Sequence, residues 1–82
     1  MLRIVQFEQQ LGQGLRRVGL FRLHVPDRAE AVRLIDQYTR GYACHGYDGA
    51  QDYWWCRNKT DKANIVMLME PIPPPIEEQG LR

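Results

Sequence analysis

Four residues of this 82-residue chain are of a type that ligates metal or acts as a nucleophile: His24, Cys44, His45 and Cys56. A zinc centre draws its ligands from spacings such as Cys-x-x-Cys, and none is present. Cys44 and His45 are adjacent, so on a strand they face apart and cannot both reach one ion comfortably. No metal site and no cofactor are expected. The two cysteines lie symmetrically about the segment centred near Ala50. That placement predicts that they oppose each other across a hairpin, within bonding reach if oxidised. In the reducing cytoplasm, the compartment expected here, they stay as thiols.

Catalytic groups can be drawn from the same region. Cys56 with His24 or His45 makes a nucleophile pair, and Asp48 with Asp52 makes an acid–base pair. Both pairs rest on residue type rather than on spacing. A chain this short also leaves little room for a pocket of roughly several hundred Å3. No catalytic residue is assigned, and the chain is read as a non-enzyme.

The run Tyr53-Trp54-Trp55-Cys56 carries a different kind of chemistry. Side chains alternate across a strand, so the two tryptophans point to opposite faces. If only one face is covered, the other tryptophan is presented to solvent or to a partner. With Trp55 inside, Tyr53 follows it and Trp54 lies out beside Cys56; the reverse places Tyr53 and Trp55 on the surface. Tyrosine and tryptophan are the residues most enriched at binding hot spots. Tyr42 and Tyr47 add aromatic area to the same hairpin, and Arg57 adds a cation. The expected interface is therefore Tyr47, Tyr53, Trp54, Trp55 and Arg57, with Tyr42 and Arg22 second. Aromatics beside Arg16, Arg17, Arg22, Arg57, Lys59 and Lys62 also suit single-stranded nucleic acid, whose bases stack on such surfaces. The formal net charge of +1, from 11 Lys and Arg against 10 Asp and Glu, weighs against that alternative.

These residues need a scaffold to position them. A hydrophobic fraction of 44% and a charged fraction of 26% are those of a globular chain. No apolar run reaches the length of roughly 18 residues that spans a bilayer. Residues 2–8 read as a first strand, and Gly12 and Gly14 fall in the turn after it. Leu15 to Val25 reads as a second strand with Phe21, Leu23 and Val25 on one face, and Gly19 within it suggests a bulge. Asp27-x-x-Glu30 is a capping-box spacing that starts a helix over 27–40. Ala31, Leu34, Ile35 and Tyr38 form its apolar face, and Gly41 is a ready left-handed C′ residue. Residues 42–47 and 53–57 make a hairpin around Asp48-Gly49. Residues 64–70, apolar on both faces, make a central strand.

The fold class is α+β, in the order β-β-α-β-β-β, with the helix on one face of a mostly antiparallel sheet and sequential pairing as its simplest topology. Residues 1–70 form one domain. Residues 71–82 form a proline-rich tail that stops the last strand or straps across the sheet. Such a domain suits a small protein-interaction module that binds a larger partner stoichiometrically, as accessory subunit or inhibitor, with homodimerisation as one form of it.

Overall fold

The run that is apolar on both faces becomes the central strand of the sheet, as expected. In the computed structural model, which describes residues 1–10 and 12–72, β1 (Leu2–Gln10) and β5 (Ala63–Pro71) pair antiparallel from Leu2 opposite Pro71 to Gln10 opposite Ala63. Ile4, Val5, Val66 and Met67 are wholly buried there. The remaining strands are β2 (Leu15–Val25), β3 (Cys44–Asp48) and β4 (Tyr53–Arg57). All pairings are antiparallel, and the sheet runs β2-β1-β5-β4-β3. The expected α+β class and element order are those observed.

The topology departs from sequential pairing at one step. The connection through α1 (Arg28–Thr39) carries the chain from β2 at one edge to β3 at the other. β1 and β5 then close the gap between them. Pairing β1 with β5 brings Ile4, Val5, Val66 and Met67 together inside the sheet, where all four are wholly buried. Pro71 sits at the very end of β5, where a missing N–H costs the ladder least. Residues 73–82, the rest of the anticipated tail, lie outside the described residues.

The helix begins as its sequence suggests. Asp27 has an extended backbone, and its carboxylate accepts from the Glu30 N–H at 2.9 Å. The reciprocal half of the box is not made: the Glu30 carboxylate accepts from Arg33 at 2.6 and 2.9 Å instead. Ala31, Ile35 and Thr39 are buried, and Leu34 and Tyr38 pack beside them. The helix ends by tightening, not by a left-handed residue. Gly41 and Tyr42 donate to carbonyls three residues back, and among the described residues Gly12 is the glycine with positive φ, at 78°.

Residues opposite each other in an antiparallel ladder share a face, so the pairing assigns the two surfaces. On the helix side lie Ile4, Met67, Met69, Ile65 and Trp54, packed with Val25, Ala31 and Ile35 into one cluster. On the other side lie Val5, Phe7, Val66, Leu68, Tyr53 and Trp55. The regular alternation expected along β2 is broken by three register shifts against β1. One of them falls beside Gly19, where a bulge was expected. Because of these shifts Phe21 and Val25 face the helix cluster while Leu23 is 52% exposed.

Candidate functional site

The face without a helix carries the candidate site. Tyr53, Trp55 and Arg57 alternate along β4, so all three point to this side. Trp55 lies opposite Gly46, and its indole rests on that glycine. A Cβ built at Gly46 would come within 2.9 Å of Trp55 Nε1 and 3.0 Å of the ring carbons Cε2 and Cζ2. Gly46 is thus a glycine because the indole needs its space. Trp55 is half-buried as a result, one ring face on the strand and the rest available.

Beyond Trp55 the face continues through half-buried Leu68 on β5 and Phe7 on β1, with Val66 and Val5 wholly buried beside them. Arg3 and Glu70 close one end, paired at 2.6 Å, with Arg17 at 3.6 Å from the same carboxylate oxygen. At the other end an open groove of about 630 Å3 is lined by residues that include Arg57, Asn64, Asp61 and Lys62. The groove gives this small chain more concave surface than its length suggests. Among the described residues the one helix packs on the other face, and on this one Val5 and Val66 are wholly buried while Tyr53, Trp55, Phe7 and Leu68 are half-buried.

Trp54 belongs to a different arrangement. It contributes to the helix-side cluster, and its ring lies 4.6 Å from that of Tyr47. Arg28, in the first turn of α1, stacks over the same indole at 5.7 Å. Arg28 also grips Asp52 through two bonds of 2.8 and 3.1 Å, and the Tyr47 hydroxyl donates to Asp52 at 2.7 Å. Those two partners hold the Asp52 carboxyl down at about 2, the Arg28 bonds first and Tyr47 second. The same contact with Asp52 raises the Tyr47 hydroxyl. These four side chains tie the β3–β4 hairpin to the start of the helix.

The hairpin loop explains why Asp52 is placed so well. Its turn is longer than the Asp48-Gly49 dipeptide suggests and runs to Asp52, which has φ 57°. Asp48 Oδ1 accepts from the N–H groups of Ala50 and Gln51, and the Asp52 N–H returns to the Asp48 carbonyl. The left-handed residue is therefore the last of the loop, a position that aspartate tolerates better than most side chains. It swings the Asp52 carboxylate towards Arg28.

The expected interface divides between these surfaces. Tyr53, Trp55 and Arg57 are together on the open face; Trp54 and Tyr47 are in the hairpin–helix cluster. Tyr42 is half-buried at the far end of the helix, bonded to the Tyr38 hydroxyl at 2.8 Å. That bond, and then burial, pushes Tyr42 up to about 12. Arg22 lies on β2, stacked over Phe21 at 4.7 Å and remote in the sheet order from β4. Val5, Phe7 and Leu68 join the open face without having been singled out in the sequence. The signal was the two-sided apolar pattern of β1 and β5, each of which supplies one residue in two to either face.

The cysteines do not oppose each other. The register sets Cys44 against Arg57 and Cys56 against His45, one residue out of step, so the two thiols face opposite sides. Both are free. Cys56 is buried on the helix side, and burial pushes its thiol up to about 11. Among the described residues no three His, Cys, Asp or Glu side chains converge as metal ligands, and no helix is long and apolar enough to cross a membrane. The chain matches no protein-family model, no curated protein and no solved structure.

Proposed function

We propose that this chain is a non-enzymatic, cytoplasmic protein-interaction module that binds a larger protein stoichiometrically through the helix-free face of its sheet. The carrying observation is a five-stranded sheet with aromatic and aliphatic side chains on both faces and its one helix on one of them. Tyr53 and Trp55 supply rigid, amphipathic area at low entropic cost, half-buried Phe7 and Leu68 supply apolar area beside them, and Arg57 supplies a cation at the rim. An accessory subunit or a small inhibitor would use such a face.

The test is affinity capture from the native host with the wild-type chain and with Trp55→Ala and Tyr53→Ala side by side. One protein should co-purify in stoichiometric amount with the wild type and be lost with either variant, while circular dichroism shows both variants folded. Equal capture by wild type and variants would remove the open face from the account. Self-association through this face would appear in light scattering as about twice the 9.6 kDa chain mass. Quenching of tryptophan emission by oligothymidylate, lost as salt rises, would instead support single-stranded nucleic acid as the ligand.

A further inference from the structure

The sheet has two edges, and they are not alike. β3 is short, five residues, and Tyr47 on it is tied to Asp52. β2 is eleven residues long and forms the edge beside β1. Leu15, Val18, Leu20 and Leu23 on it are between 39% and 54% exposed. A long edge strand with uncovered aliphatic side chains presents a row of unpaired backbone N–H and C=O groups with hydrophobic contacts beside them, which is a template for one more strand.

We infer that the outer edge of β2 takes an extended, acidic and aliphatic segment of a partner protein as a sixth strand. Charge selects the class of segment. Leu15–Val25 contains Arg16, Arg17, Arg22 and His24 and no carboxylate. Arg16 and Arg17 are already turned toward Glu8 and Glu70, yet remain 73% and 50% exposed at their side chains. Among the described residues Arg22 has no carboxylate partner; its guanidinium donates to the Phe21 carbonyl at 3.1 Å. An incoming strand with Asp or Glu between aliphatic residues answers both features, because directly opposite charges stabilise a ladder and like charges weaken it.

A second copy of this chain fits the edge less well. Two-fold antiparallel pairing centred on Gly19 sets Arg16 opposite Arg22 of the second copy. Centred between Gly19 and Leu20, it sets Arg17 opposite Arg22. The bulges that bend β2 also interrupt the long regular ladder that a symmetric pairing would use. A short segment can pair with one regular stretch and ignore the bend. This edge is separate from the Trp55 surface, so the two proposals stand or fall independently.

The experiment is selection from a displayed library of linear random dodecapeptides on the immobilised full chain, followed by titration of a synthetic copy of the most enriched peptide. The expected consensus alternates aliphatic residues with Asp or Glu. Affinity should fall about tenfold or more with Arg22→Glu and with Leu20→Pro, weaken with salt, and stay within about twofold for Trp55→Ala. Circular dichroism reports whether Leu20→Pro folds; Arg22→Glu decides the matter if it does not. Enrichment of no such consensus, or binding indifferent to Arg22→Glu, overturns the inference. So does binding lost only in Trp55→Ala, which would leave the open-face proposal standing alone. A wild-type dimer that Arg22→Glu leaves intact or tightens and Leu20→Pro dissociates would assign the edge to a second copy instead.

Discussion

Trp54 and Trp55 are neighbours in the chain and inhabit two different surfaces. Trp54 is held in the helix-side cluster with Tyr47 beside it, Arg28 over it, and Asp52 bonded to both of those. Trp55, half-buried like Trp54, lies on the opposite face with its indole against Gly46. The difference teaches what a single helix does to a sheet in a chain this small. It covers one face and organises the hairpin through its first turn, and it leaves the other face to be satisfied by something else.

The largest effect should come from the covered face. Ile35→Ala removes a wholly buried side chain from the cluster and should cost about 2–5 kcal/mol, comparable with the roughly 3–5 kcal/mol a domain of this size can hold. Urea titration followed by circular dichroism should find the variant largely unfolded without denaturant. A variant as stable as wild type would mean that the helix does not anchor this face.

Gly46→Val tests the other tryptophan. Its new Cβ meets the Trp55 indole at 2.9 Å, so the ring must lift or the strand must shift, at about 1–3 kcal/mol. Tryptophan emission should move to the red while the fold persists. Unchanged emission would show that the ring does not rest on Gly46.

A smaller loss is expected at the helix start. Asp27→Ala removes the acceptor for the Glu30 N–H and should cost about 1 kcal/mol, with Asp27→Ser close to wild type in the same melts. Loosening α1 at this end should also loosen Arg28, so the Trp54 emission should respond more than that of Trp55.

The smallest effect concerns the Asp52 latch, whose groups are exposed and screened. The Asp52 carboxyl titrates at about 2 in the folded chain, below its ordinary value. Its contribution to stability is therefore present above about pH 4 and is lost as pH falls from there toward 2. The stability difference between wild type and Asp52→Asn at neutral pH should shrink steeply as pH falls from about 4 to 2, where the carboxyl is half protonated. A difference undiminished at pH 2 would assign the latch to hydrogen-bond geometry rather than to charge.

Much of the covered face was legible in the sequence because it follows local rules. The Asp27 cap, the Ala31-Leu34-Ile35-Tyr38 stripe and the two-sided apolar run of β5 each state their own environment. Period 2 also required the two tryptophans to part, but not which one the helix would take. That choice depends on register, and register is set by pairing between distant segments. The same reason hid the one-residue offset of Cys44 and Cys56, and the bulges that turned Leu23 outward. Arg28 escaped notice because its partner, Asp52, is brought to it by a loop whose left-handed residue is an aspartate, where Gly49 was the obvious candidate.

The most direct measurement compares the two faces in one sample. With the co-purified partner bound to isotope-labelled protein, cross-saturation from the partner should attenuate the Leu68 methyl and Trp55 indole N–H signals, both from half-buried side chains. The methyl signals of Ile4, Ile35 and Met67 on the helix side should keep their intensity. Attenuation of the helix-side set, with Leu68 and Trp55 untouched, would contradict the account.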